Sequence, residues 1–208
     1  MDNDKPNIIT VYVAALPESC GRRPLYPRER ECEVASTGNP VLRHERRSVW
    51  RLLEYAVKSN TGMGMEDLNF ELHGSRWSCN EIAFSLSHGG GAIAVAVATR
   101  PVGVDIEEIS GERQEGLARR FFTERELSEY LASAEESRDE AFLHIWTAKE
   151  AVFKSREEEK FVPAKIDTAD HDVYTRTVSL GGRDYAVSAF SEGASKTELI
   201  ILRDDGWL

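Results

Sequence analysis

Two carboxylates stand two residues apart in the segment GVDIEEI, Asp105 and Glu107. In an extended chain that spacing puts both on one face and turns Ile106 to the other. Hard oxygen donors at a strand end suit Mg²⁺, which takes a few carboxylates and fills its shell with phosphate oxygens. A solvated strand end in an acidic region fits the same pair. A third carboxylate and an amine lie in WTAKEAVFK, where Glu150 and Lys154 are four apart and share a helix face. That spacing also serves as a plain surface ion pair. His88 lies in SLSHGGG, flanked by Ser87 and three glycines. Glycines let a backbone come close to an anion, although an ordinary turn explains the string as well. There is no GxxxxGK[ST] loop, no GxSxG elbow and no HExxH, and His44, His73, His144 and His171 show no ligand spacing.

These residues need elements to hold them. Residues 7–16 (NIITVYVAAL) are β-branched and aromatic and read as a strand. Residues 17–40 carry Pro17, Pro24, Pro27, Gly38 and Pro40 and read as an irregular loop. From Val41 the apolar spacing predicts a helix, with Arg43, Arg47, Arg51, Glu54 and Lys58 on its other face and SNTGMG as its stop. Residues 82–86 and 92–98 read as strands around SHGGG, and Val102 to Ile106 as a third. Thr123 and Glu126 form a capping box ahead of a helix, and a further helix is expected over about 139–156. After Pro163 the pattern returns to β, with a hairpin at Gly181-Gly182 and a last strand in ELIILR. Both halves thus run strand, helix, antiparallel strands. The expectation is an α+β protein of two similar halves, 1–100 and 101–208, each an antiparallel sheet packed on helices.

The 208 residues are 41% hydrophobic and 30% charged, a composition that fits a folded globular chain rather than a disordered or repetitive one. The longest apolar stretch, Ala92 to Ala98, is too short to cross a bilayer, and the N-terminus does not read as a signal peptide. Cys20, Cys32 and Cys79 are scattered without CxxC spacing, so free thiols in the cytoplasm are the simplest expectation. Residues 1–100 hold 12 basic and 12 acidic side chains; residues 101–208 hold 14 and 24, so this half carries the whole charge of −10. Such a balance disfavours nucleic acid and anionic membrane as partners. Locally, Cys20 to Arg51 contains eight Arg against four Glu, which makes it the approach route for an anionic ligand.

In order and spacing, SLSH, GVDIE and WTAKEAVFK together resemble the 4'-phosphopantetheinyl transferases, in their larger single-chain (Sfp-type) class. Arg120-Phe121-Phe122 in ARRFFTERE resembles an Arg-Phe-Phe segment of that family. Arg47-Ser48 before LLEYA resembles the start of its N-terminal helix. The resemblance runs over roughly residues 40–156. It implies a pseudo-dimeric α+β chain with the site between its halves, acting as a monomer. It also implies transfer of the phosphopantetheine arm of coenzyme A to a serine of an acyl or peptidyl carrier protein, with release of adenosine 3',5'-bisphosphate. By motif position Asp105, Glu107 and Glu150 would be the Mg²⁺ carboxylates. Ser87 and His88 would touch the CoA phosphates, Lys154 the pyrophosphate and Arg47 or a neighbour the adenosine end, with Lys149 beside them. Glu150 is the best-placed general base, a water on the metal being the other choice.

Three places depart from the family pattern. Gly89 stands where a Ser is common, HGSRW replaces a Gly-Lys-Pro segment so that Arg76 would substitute for its lysine, and SREEEKF replaces a glycine-rich turn. Carrier proteins of this kind are acidic, so docking is expected on the Arg-rich stretch, with Arg28 and Arg30 as its test. Two other functions fit the residues: a Mg²⁺-dependent nuclease, and a non-catalytic module that holds CoA or a carrier.

Overall fold

A computed structural model describes residues 6–21, 26–74, 76–111, 115–156, 158, 160–203 and 205–208. Arg22 and Arg23 of the basic stretch, Ser75 of HGSRW, Glu157 and Glu159 of SREEEKF, and the first five residues lie outside this set.

Strand β1 (Ile8–Ala15) is buried along nearly its whole length because it is central and both faces are covered. It pairs antiparallel with β5 (Ala92–Ala98), which pairs with β4 (Ala83–Gly89). The alternation of AIAVAVA sorts two layers. Ile93, Val95 and Val97 join Tyr12 under the long helix α2 (Pro40–Thr61), while Ala92, Ala94, Ala96 and Ala98 face the second sheet. Methyl-sized side chains on that face allow the second sheet to come close. It consists of β6 (Gly103–Glu108), β8 (Arg183–Phe190) and β7 (Tyr174–Leu180), and Val104, Ile106, Tyr185 and Val187 complete the shared core.

Helix α5 (Arg138–Lys154) lies on the far side of this sheet. A Cβ at Gly103 would stand 1.9 Å from the Ala151 carbonyl oxygen, so helix and strand touch backbone to backbone there. Thr147 and Ser188 share a buried hydroxyl contact of 2.7 Å, with Thr175 a further 2.8 Å from Ser188. Helices α3 (Glu115–Phe121) and α4 (Glu124–Ala132) pack through Ala118, Phe122 and Tyr130 against Phe142. The capping box at Thr123 and Glu126 is formed, with bonds of 3.3 and 2.8 Å.

The expected α+β class holds, and several details differ. The supposed loop 17–40 contains α1 (Arg28–Ser36), a helix without an apolar stripe; Val34 and Arg30 are its buried residues, so hydrophobic spacing had nothing to register. Helix α2 begins at Pro40, capped by Asn39, whose side chain accepts from the Val41 and Leu42 amides. Arg47 and Ser48 are therefore mid-helix and not a helix start, and Gly62, at φ 75°, ends it as expected. Arg51, assigned to the polar face, is 6% exposed and paired with Glu54 at 2.5 Å. A small hairpin, β2 (Phe70–His73) with β3 (Arg76–Cys79), was not anticipated. The last strand, β9 (Lys196–Leu202), leaves the second sheet and runs parallel to β1, so the first sheet reads β4-β5-β1-β9.

Candidate active site

The two sheets meet where β4 lies beside β6, and there hydroxyls replace a backbone ladder. Ser85 Oγ accepts from the Val104 amide (3.1 Å), and Ser87 Oγ from the Ile106 amide (3.4 Å). Ser87 also donates to Asp105 Oδ1 at 2.7 Å. Lys154, in the last turn of α5, places Nζ 2.7 Å from the same Asp105 oxygen, 3.3 Å from Ser87 Oγ and 3.2 Å from the Val104 carbonyl. Three segments far apart in sequence thus converge on one carboxylate. Asp105 is 4% exposed, and its second oxygen, Oδ2, is buried without a hydrogen-bond partner.

Glu107 and Glu150 belong to the same electrostatic unit. Burial, then the Asp105 charge, pushes Glu107 up to about 7, with Glu150 adding to the rise and Lys154 opposing it. Burial and Asp105 likewise raise Glu150, against Lys154 and Arg76. Negative charge is therefore held out of water beyond what one lysine offsets. An orphaned carboxylate oxygen among hard acidic donors fits Mg²⁺. Among the described residues, no three acidic, His or Cys side chains are already gathered as a formed metal cluster.

His88 is held by Glu45 of α2, with Nδ1 3.3 Å from Oε2. Burial lowers its affinity for a proton, Glu45 works the other way, and Lys154, Arg46 and Arg30 add to the lowering. This cationic surrounding is what an anion would meet. Gly89 answers one departure from the family pattern: a Cβ there would lie 3.0 Å from the Ile106 carbonyl and 3.1 Å from Glu107 Oε2. The missing side chain gives Glu107 its room.

The structure thus gathers Ser87, His88, Asp105, Glu107, Glu150 and Lys154. Arg76 sits at the end of α5, its guanidinium 4.3 Å from the Phe153 ring and bonded to the Phe153 and Arg156 carbonyls. Glu158 and Glu150 act on its charge, and its Nη1 is spent on the helix end. Arg47, midway along α2, has a buried Nε without a hydrogen-bond partner.

Lys149 is not brought to the site. It is fully buried, with Nζ 2.6 Å from Glu126 Oε2 and bonded to the carbonyls of Pro163 (3.0 Å) and Ile166. An ammonium has three hydrogens, and all three are used, so none is left for a phosphate. Arg30 likewise fails as a surface cation: it is 8% exposed, paired with Glu33 at 2.7 Å and laid 5.5 Å from the Trp50 ring. Arg46 and Arg43 spend donors on Thr37, which leaves Arg28 as the exposed member of the tested pair. Sequence reasoning also missed Glu45, whose only signal was its place among the arginines of α2.

Residues 101–200 match the family model of the 4'-phosphopantetheinyl transferase superfamily. Among curated proteins the chain is 33% identical over 107 residues to the 4'-phosphopantetheinyl transferase psf-1 of Bacillus pumilus, covering 50% of this chain and 46% of the relative. It is 35% identical over 71 residues to Sfp of Bacillus subtilis, covering 34% of this chain and 31% of the relative. With gsp of Aneurinibacillus migulanus it is 34% identical over 83 residues, covering 40% and 35%. The matches span less than half the length of these relatives, and all three carry the name of one transferase, as the motifs implied.

Proposed function

We propose that this protein transfers the 4'-phosphopantetheine arm of coenzyme A to a serine of an apo carrier protein, releasing adenosine 3',5'-bisphosphate. The observation that carries this reading is the convergence of Ser87, Asp105 and Lys154 at the junction of the two sheets, with Glu107 and Glu150 coupled to it. Attack of a serine hydroxyl on a pyrophosphate phosphorus is phosphoryl-type transfer, in which positioning and charge stabilisation dominate. Asp105, Glu107 and Glu150 would hold Mg²⁺, whose charge would offset that of the pyrophosphate.

The chain's own residues have distinct tasks. Ser87 and His88, near the end of strand β4 beside the glycines, contact the CoA phosphates. Lys154 stabilises the bisphosphate as it leaves, at a position it already shares with Asp105. Arg47, half-buried on α2, is assigned to the adenosine end by its motif position alone. Glu150, through the oxygen it does not give to the metal, would accept the serine proton. The pseudo-dimer is supported by topology: β4-β5-β1 and β7-β8-β6 share one order, a hairpin followed by the strand that precedes it in the chain. One chain then supplies both halves, and a monomer suffices.

The test is intact-mass spectrometry of an apo carrier protein incubated with CoA, Mg²⁺ and this protein, beside the Asp105→Ala variant. Gain of one phosphopantetheinyl arm, abolished in the variant, is the expected result. No gain across several carrier types, with CoA binding intact by calorimetry, would replace this reading with a CoA-binding module.

A further inference from the structure

The fully buried pair Lys149–Glu126 lies outside the site, yet Lys149 is the residue before Glu150. We infer that this pair is a positioning device, which fixes helix α5 so that Glu150 and Lys154 present themselves to Asp105. The inference rests on the function proposed above.

Both members are saturated. Glu126 Oε2 accepts from Lys149 (2.6 Å) and the Thr123 amide (2.8 Å), and Oε1 from the Thr168 amide (2.9 Å) and hydroxyl (3.0 Å). Lys149 adds the Pro163 and Ile166 carbonyls. One ion pair therefore ties three segments together: the start of α4, the middle of α5 and the connection 163–168. On its sheet side α5 rests on Gly103 and on the Thr147–Ser188 hydroxyl contact. Those contacts set its distance from β6 and β8. Directional bonds from Lys149 to three fixed acceptors add a restraint on rotation and axial slide that apolar packing does not supply. Glu150 follows about 100° further round the helix. A displacement of about 1 Å at a reacting group costs on the order of 10²-fold in rate, so a strut one residue from the proposed base has leverage on it.

A lone Lys149→Met change would leave a buried carboxylate uncompensated and unfold the region. The double variant Glu126→Leu/Lys149→Met keeps volume and leaves no buried charge unpaired, while the Thr123 and Thr168 amides and the Pro163 and Ile166 carbonyls lose their partners. We expect it to melt below the unaltered protein and, assayed at a temperature where both are folded, to show kcat about 10- to 100-fold lower and a higher Mg²⁺ concentration for half-maximal rate. KM for the carrier stays unchanged if the carrier docks on the Arg-rich stretch, as its charge implies. A merely structural pair would leave kcat and the Mg²⁺ requirement intact once stability is matched, and that result overturns the inference. Should the double variant not fold, Thr168→Val decides: it removes one bond at a half-buried residue, and an unchanged kcat and Mg²⁺ requirement overturns the inference.

The rise in melting temperature produced by Mg²⁺ with CoA is read in parallel. If the unaltered protein transfers nothing but shows that rise, the proposed function fails alone, and a smaller rise in the variant supports the strut. Equal rises overturn it. Neither transfer nor rise in the unaltered protein overturns both.

Discussion

Three strands of each sheet, β4-β5-β1 and β7-β8-β6, share one order, yet what is buried beneath their helices differs in kind. Beneath α2 the contacts are apolar: Val49, Trp50, Leu52, Leu53, Ala56 and Val57 are buried against Tyr12, Ile93, Val95 and Val97, and Trp50 touches the rings of Tyr26, Phe70, Trp77 and Phe84. Beneath and around α5 the buried groups include Thr147, Lys149, Ser188, Asp105 and Glu126. Apolar contacts stabilise whatever their exact placement, whereas buried polar groups are favourable only in one geometry. The first unit is held by apolar packing, and the second buries polar groups in fixed hydrogen-bonded positions.

The sharpest way to break this contrast is Trp50→Ala, which should cost about 3–5 kcal/mol of stability. Denaturant unfolding should show that loss, while transfer rate per folded molecule stays within about twofold, since that order of change is what a support lends the site. In the second unit the balance should invert. Glu150→Gln keeps the shape and should lower kcat by about a hundredfold in single-turnover assays, the usual scale for a lost general base, with no fall in melting temperature.

A smaller effect sharpens the comparison through pH. Glu107 has its folded pKa raised to about 7 from an ordinary 4.5. Below pH 4.5 it is protonated in both states and costs nothing; as pH rises towards 7 the folded state increasingly disfavours its charge, so stability is lost. Metal-free Glu107→Gln should therefore melt with the unaltered protein at pH 4 and above it at pH 8, by an amount of about 1 kcal/mol after solvent screening. Equal melting at pH 8 would show that Glu107 is not held among buried negative charges. The mildest test concerns docking: Arg28→Glu should raise KM for the carrier by a fewfold, with KM for CoA unchanged, since rim charges mainly steer encounter.

Much of the site was legible beforehand because its residues sit in short strings with local geometry. Period two placed Asp105 and Glu107 on one face away from Ile106, and helical spacing put Glu150 and Lys154 together. Lys149 was misread for the same reason: its neighbour Glu150 faces the site, and only the carbonyls of Pro163 and Ile166 reveal that it turns away. Arg30 was misread because charge in a sequence looks exposed, whereas this guanidinium lies against Trp50 and Glu33. Helix α1 and the β2–β3 hairpin escaped notice for want of a strong apolar period.

By itself the sequence determined the local elements with strong apolar periods, the α+β class and the family resemblance, because periodicity, caps and glycine turns act within a few residues. Tertiary structure alone decided that β9 crosses to β1, that Ser87 and Lys154 share one oxygen of Asp105, and that Lys149 pairs with Glu126. Each of these depends on contacts between segments distant in the chain, where the partner of a polar group is set by which surfaces the folded layers bring together.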